Sequence, residues 1–271
     1  ADSNLKQFFG GIKRVEQRKE SPSRQNGLVD FGYKKVRAAE KIRLVQRHFD
    51  AIARRYDFSN TVLSMGLDRV WRMEAVKTLS LRPGDSVLDL CGGTAELALL
   101  AARNVGVHGR VTLYDINRPM MIEARPKVAR ARLKSRINYV QGDAGNLALA
   151  DRSFDAAMVG FGIRNLTDMK QGFREACRVL KHGGRFVCLE FSQPQASWFR
   201  ALYNFYSFYI MPWFGQILVG SRTAYSYLPE SIKLFSTPAK LAGIMEEAGF
   251  SKVSYRMLTN GIAAIHVGVK E

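Results

Sequence analysis

A chain of 271 residues with 46% hydrophobic content can bury a substantial core, enough for one domain with additions. Its 41 Lys and Arg against 24 Asp and Glu give a net charge of +17, which argues against cationic partners and for nucleic acid or an anionic membrane face. Three cysteines without paired spacing, four scattered histidines and no apolar signal region at the N-terminus argue against a disulfide scaffold, a metal site and secretion, so a reducing, intracellular setting is expected.

Residues 1–33 mix charge, Ser and Gly without clear periodicity and read as a basic arm, with a short helix expected near 5–15. Residues 1–55 carry 14 Lys and Arg against 6 acids, so about half of the basic excess sits in the first fifth of the chain. Charges of this kind usually form a solvated face. Val36, Ile42, Val45, Phe49, Ile52 and Ala53 recur at helical spacing and predict an amphipathic helix over 36–53. A second helix is expected over 60–79, before the turn signal Arg82-Pro83-Gly84.

The pattern then alternates. Strands are expected at 86–90, 111–115, 137–141, 154–160, 184–190, 252–258 and 263–269, with helices at 94–104, 118–134, 168–180 and 237–248. Such alternation implies a parallel sheet covered on both faces. Only Thr259–Ile262, with Asn260-Gly261, joins the last two strands, which should therefore form an antiparallel hairpin. The expected divisions are an arm at 1–35, a helical cap at 36–82 and an α/β domain at 83–271 with an insertion at 193–236. Between Trp198 and Gly220 the insertion is dense in Trp, Tyr and Phe, but Arg200, Asn204, Pro212 and Gln216 interrupt it, which argues against a spanning helix. A core helix, a lid over an apolar ligand and a surface that dips into a membrane remain open.

Chemistry concentrates at strand ends. Ser86 to Glu96 reads as strand, paired glycines and helix start, a turn that lets the backbone approach a nucleotide-like ligand and offers free amides. Its residues do not follow the G-x-G-x-x-G pattern. Asp115 ends the next strand, 22 residues after Gly93, where an acid can accept from both ribose hydroxyls; Asn117 suits the N-cap of the helix that follows. Asp89, Asp143 and Arg164 also fall at or near strand ends, where parallel-sheet folds bind ligands.

Taken in order, Asp89-Leu-Cys-Gly-Gly-Thr94, Tyr114-Asp-Ile-Asn117, Gly142-Asp-Ala144 and the segment from Arg178 to Gly184 resemble class I S-adenosylmethionine-dependent methyltransferases. More narrowly, four segments resemble the ubiquinone/menaquinone biosynthesis C-methyltransferase family: Tyr56–Asn60 with Leu63–Gly66 and Trp71, Phe161–Asn165, Arg178–Ser192, and Tyr225–Leu228 with Glu230–Ile232. The resemblance runs from about Phe31 to Glu271. It implies a three-layer Rossmann-like sheet of seven strands, six parallel and one antiparallel. By resemblance Asp89, Gly92, Gly93, Thr94, Asp115, Ile116, Asn117, Asp143, Ala144 and Gly160 would bind S-adenosyl-L-methionine. Departures from the family pattern fall at Ser59 (usually Met), Asp68 (His), Ala95 (Gly), Gly160 (Ser or Ala) and His182 (Pro).

The implied reaction is C-methylation of a polyprenylated quinol ring. A free phenol titrates near pH 10, so stabilising its anion at neutrality is worth roughly 4 kcal/mol. Arg164 is the expected cation for that purpose, with a structural ion pair as the competing role. Tyr56 and Asp57 are candidates to close the site, and Asp57 or the Tyr203/Tyr206 pair could relay a proton. Expected partners are the lipid quinol and an anionic membrane surface, with no specific nucleic acid; a homodimer or biosynthetic complex stays open. The expected location is cytoplasmic or peripheral on the inner face of the membrane. Methylation of another small molecule or RNA, and a non-catalytic basic binding or assembly role on the same fold, are the alternatives.

Overall fold

The computed structural model describes residues 13–14, 27–211, 213 and 222–271. Ten strands among them, numbered in chain order, are β1 (Lys13–Arg14), β2 (Leu28–Phe31), β3 (Lys34–Arg37), β4 (Ser86–Leu90), β5 (Arg110–Asp115), β6 (Ile137–Gln141), β7 (Phe154–Gly160), β8 (Leu180–Phe191), β9 (Phe250–Leu258) and β10 (Ala263–Lys270). All but β2 and β3 join one sheet, in the order β1-β9-β10-β8-β7-β4-β5-β6. The seven expected strands are all present. Within this set β10 alone runs against its neighbours, pairing antiparallel with both β8 and β9.

Apolar side chains cover both faces. On one side α3 (Leu67–Leu79), α4 (Glu96–Asn104) and α5 (Arg118–Arg130) pack over Val87, Val111 and Met158. On the other, α6 (Met169–Val179) and α9 (Pro238–Glu247) cover Leu88, Leu90 and Phe186. In α4 the buried stripe is Leu97, Ala98, Ala101 and Ala102; three small residues let the helix lie close on the sheet. The strand order reverses at β4, which pairs with β5 on one edge and β7 on the other. A crevice opens at such a point beyond the strand C-termini, and it locates the site.

Several elements differ from expectation. The helix expected over 60–79 is two helices, α2 (Tyr56–Leu63) and α3, because Met65 (φ 52°) and Gly66 (φ 79°) turn the chain left-handed between them. The break aims a stripe of α3 inward: Asp68, Trp71, Arg72, Ala75, Val76 and Leu79. Strands β2 and β3 form a hairpin, with Leu28 opposite Arg37 and Phe31 opposite Lys34, across the boundary expected at 35/36. Four-residue strands carrying three cations give little hydrophobic alternation to read. Of the helix expected near 5–15, Lys13 and Arg14 are described and pair with Tyr255 and Ser254 as an eighth strand; the rest lies outside the described residues.

The insertion opens with α7 (Ser197–Phe205), which continues as a π-helical turn over Tyr206–Ile210. None of the α7 residues is buried, so this part of the aromatic stretch is not a core helix. After the undescribed part, α8 (Arg222–Leu234) returns. Among the described residues no helix is long and apolar enough to cross a membrane.

Candidate active site

The turn after β4 is strained where a ligand would approach. Cys91 (φ 55°), Gly93 (φ 50°) and Ala95 (φ 70°) are all left-handed. A side chain at Gly92 would bring its Cβ to 2.7 Å from Leu113 Cγ and 3.0 Å from Asp89 Oδ2. Ala95 is fully buried, so an L-residue takes a conformation that glycine adopts freely, at a cost of roughly 1–2 kcal/mol, while its methyl group packs in the core. This accounts for the departure at Ala95.

Asp115 ties the turn to the end of β5. Its Oδ2 accepts from the Gly93 amide (2.8 Å) and its Oδ1 from the Asn117 amide (2.7 Å), while Asn117 Oδ1 caps α5 by accepting from the Met120 amide (2.9 Å). Burial pushes the Asp115 carboxyl up to about 6, against the pull of those amides. Asp89 is fully buried, and neither of its carboxylate oxygens has a hydrogen-bond partner. Burial pushes it up to about 8; the nearby Ala98 amide offsets part of the rise, and Asp115 adds to it. A carboxylate buried without a partner is costly unless a cation arrives.

Every residue expected to hold the cofactor, from Asp89 to Gly160, lines one cavity over this turn. The sequence did not reveal its far wall, where α1 (Ala38–Ile52) contributes Ile42, Val45, Gln46 and Phe49. The cap is fastened there by Asn117 Nδ2, which donates to Asp50 Oδ1 (2.7 Å), and by Asp57. Asp57 Oδ1 accepts from Thr94 Oγ1 (2.5 Å) and its Oδ2 from Lys127 Nζ (2.5 Å), which also reaches Glu96 Oε1 (2.6 Å). Both Asp57 oxygens are so engaged, and Asp57 lines neither this cavity nor the one beside it.

A second cavity, about 380 Å³ and mostly apolar, adjoins the first. Four residues line both: Phe49, Tyr56, Arg72 and Phe161. Here the expected Arg164, Tyr203 and Tyr206 come together with Tyr56, under Phe199, Leu202 and Phe205 of α7. Tyr206 donates to the Leu63 carbonyl (2.7 Å). Burial raises the phenols of Tyr56, Tyr203 and Tyr206, so none is an anionic base near neutrality.

Arg164 has a buried carboxylate partner. Its Nη1 donates to Glu190 Oε1 (2.6 Å) and to the Phe161 carbonyl (2.6 Å), its backbone amide to Glu190 Oε2 (3.3 Å), and its guanidinium lies 5.2 Å from the Phe191 ring centre. Burial opposes the charge, but Glu190, then Tyr227 and Tyr56, outweigh it and hold Arg164 above the ordinary guanidinium value. Lys41 supports the same loop, donating to the Leu166 carbonyl (2.8 Å); burial brings its amine down to about 8 despite Asp30. His48, which sequence reasoning passed over, also lines this cavity, with its ring centre 5.0 Å from that of Tyr227. Burial, and then Arg164, brings His48 down to about 4, so it is neutral at physiological pH. Single residues spread over α1, α3 and β8 leave no local motif; the one available signal was the charged pair Asp68/Arg72 inside the apolar stripe of α3.

Sheet order, strand-end acids and the glycine turn define a class I methyltransferase fold. Solved structures share it: S-adenosylmethionine-dependent methyltransferases of Thermotoga maritima (18% identical, 83% of this chain and 99% of that one, TM-score 0.58) and Aquifex aeolicus (17%, 74% and 89%, TM-score 0.54). The profile of the ubiE/COQ5 methyltransferase family matches residues 35–270. Relatives named ubiquinone/menaquinone biosynthesis C-methyltransferase UbiE include those of Stenotrophomonas maltophilia strain R551-3 (42% identical over 93% of this chain and 99% of the relative) and Idiomarina loihiensis (40%, 89% and 96%). The chain belongs to the ubiE/COQ5 methyltransferase family.

Proposed function

We propose that this chain transfers a methyl group from S-adenosylmethionine to a ring carbon of a polyprenylated quinol, demethylmenaquinol or 2-polyprenyl-6-methoxy-1,4-benzoquinol, in quinone biosynthesis. The observation that carries this is the pair of adjoining cavities, one lined by strand-end acids and amides and one by aromatic and aliphatic side chains, with a shared wall at Phe49, Tyr56, Arg72 and Phe161. Relatives covering nearly the whole chain bear the name of that activity.

The residues of the first cavity suit S-adenosylmethionine, which when bound supplies an electrophilic methyl group. Asp89, a buried carboxylate lacking any hydrogen-bond partner, would take the amino-acid ammonium. Asp115 keeps lone pairs for the ribose hydroxyls beyond the two amides it already holds, and Asp143 and Ala144, in the wall of the same cavity, would face adenine. Asp57 and Thr94 close the cap over this cavity and exclude water. In the second cavity Arg164, fixed by Glu190, would face a quinol oxygen, while Tyr203 and Tyr206 remain neutral, Tyr206 with its proton on the Leu63 carbonyl.

Peripheral membrane attachment follows from the lipid substrate. Trp198 (72% exposed), Leu202, Phe205, Tyr209 (71%) and Trp213 (61%) project outward from the insertion, and Leu202 and Phe205 also line the quinol cavity. Phe58, Val62 and the exposed Met65 add apolar surface on α2 and the turn after it, and no acid occurs between Gln193 and Pro229. Such a face suits an anionic bilayer from which a prenyl tail enters the cavity. Vesicle co-sedimentation at low salt should detect the full chain, and Trp198→Ser with Trp213→Ser should release it; a dimer that ignores vesicles would assign the face to a second copy. For the activity, each reduced quinol offered with S-adenosylmethionine should release S-adenosylhomocysteine. Release without quinol, or none with either, would end the proposal.

A further inference from the structure

The ion pair Asp68–Arg72 is buried at the start of α3. Arg72 Nη1 donates to Asp68 Oδ2, and Asp68 Oδ1 accepts from Ser64 Oγ (2.9 Å). Both side chains are about 7% exposed. Both lie in the inward stripe of α3, Asp68 in its first turn and Arg72 between apolar Trp71 and Ala75, where a hydrophobic residue would ordinarily serve stability as well as or better than a buried ion pair. The guanidinium sits 5.2 Å from the centre of the Phe161 ring. Phe161 is itself left-handed (φ 59°), directly after β7, and presents its carbonyl to Arg164.

Position separates the two arginines. Arg164 lines the quinol cavity alone, whereas Arg72 lines both cavities, and no other charged residue among those described does so. Methyl transfer must occur where the cavities meet. The ring carbon that accepts the methyl becomes nucleophilic when the hydroxyl on the neighbouring carbon is ionised, so that oxygen is at most a few ångströms from the meeting point. We propose that Arg72, oriented by Asp68, is the cation that stabilises this ionised hydroxyl, while Arg164 faces the opposite side of the ring. The inference rests on the quinol reading above. In the step it serves, the hydroxyl proton leaves to water and the ring carbon forms its bond to the methyl carbon. The methyl–sulfur bond breaks with its electron pair going to sulfur, the ring proton at the methylated carbon leaves to water, and the oxygen takes a proton back from water to restore the aromatic quinol, with one proton released overall. Arg72 donates hydrogen bonds throughout and gives up no proton, as suits a guanidinium.

The test reads ionisation of a bound phenol directly, without turnover. An alkylated nitrophenol, whose phenolate absorbs in the visible, is titrated against pH with the full chain and S-adenosylhomocysteine. Wild type should raise the phenolate-to-phenol ratio at a given pH about tenfold or more over water, as a neighbouring guanidinium does. Arg72→Gln should abolish the gain and Arg72→Lys restore part of it. The uncharged pair Arg72→Leu with Asp68→Asn, close to the native volumes and leaving no unpaired charge if Arg72→Gln folds poorly, should abolish it too. Arg164→Gln should retain most of the gain. With quinol as substrate, kcat of Arg72→Gln should fall about 10²-fold, well beyond any loss of S-adenosylhomocysteine affinity. A gain that survives in Arg72→Gln and in the double variant, or is lost only in Arg164→Gln, overturns the assignment. A wild-type chain that neither binds the phenol nor methylates a quinol overturns the quinol reading itself.

Discussion

Asp89 should release a proton when the cofactor binds. With its carboxyl pushed up to about 8 by burial, roughly nine-tenths of Asp89 is protonated at pH 7 in the free protein. An ammonium group brought against it returns the carboxyl toward its ordinary range, so binding at pH 7 should expel about 0.9 proton. Ionising it costs about 1.4 kcal/mol at pH 7, and affinity should rise about tenfold from pH 6 to pH 7 before levelling near pH 8. Above that the ligand's own amine, near 8, begins to lose its charge. Asp115, at about 6, is already mostly ionised at pH 7 and contributes little there. The linkage has a fixed sign: the folded chain holds the Asp89 proton up to pH 8 while the unfolded chain releases it near 4, so stability falls as pH rises between those values. Asp89→Asn should therefore bind S-adenosylhomocysteine more weakly yet stabilise the free protein by of the order of several kcal/mol at pH 8, and by less at pH 5. Calorimetric titration in buffers of different ionisation enthalpy counts the proton. An equal count in wild type and Asp89→Asn would refute the reasoning.

Gly92→Ala places a Cβ 2.7 Å from Leu113 Cγ and 3.0 Å from Asp89 Oδ2; it should cost about 1–3 kcal/mol in thermal unfolding and weaken cofactor binding at least tenfold by calorimetry. Asp57→Ala removes the carboxylate that Thr94 and Lys127 share, and stopped-flow release of S-adenosylhomocysteine should quicken about tenfold, the loss of a charged hydrogen bond. An unchanged release rate would mean that the latch does not hold the cap. Glu190→Gln leaves the buried Arg164 uncompensated and should lower stability by about 3–5 kcal/mol in denaturant titration. A loss under 1 kcal/mol would show that the pair is solvated in solution.

The parallel core was legible because its strands are short apolar runs closed by turn residues, as in Ser86–Leu90 and Phe154–Gly160, whose limits the structure reproduces. The cofactor side was legible for a related reason: its acids stand at strand ends, and topology alone gathers strand ends at the reversal between β4 and β7. The substrate side was not. His48 and Phe49 come from α1, Arg72 from α3 and Glu190 from β8, with no local motif to join the three elements, and only tertiary packing brings them to one cavity or its wall. The hairpin β2–β3 was hidden by its charges, and what steadies it is distant: the Tyr33 amide donates to Glu230 Oε2 (3.1 Å), and Phe31 stacks on Tyr227, ring centres 4.4 Å apart. The break at Met65-Gly66 was visible as a glycine, but the helical period continued past it, and position 66 gave no reason to favour the break over an isolated helical glycine.

The most direct measurement of the central claim is the site of the transferred carbon. With methyl-labelled S-adenosylmethionine and a reduced polyprenyl quinol, carbon NMR of the extracted product should show the label as a methyl group bonded to a ring carbon, with the oxidised quinone giving no product. Label on a ring oxygen, or transfer to RNA with none to either quinol, would contradict the account.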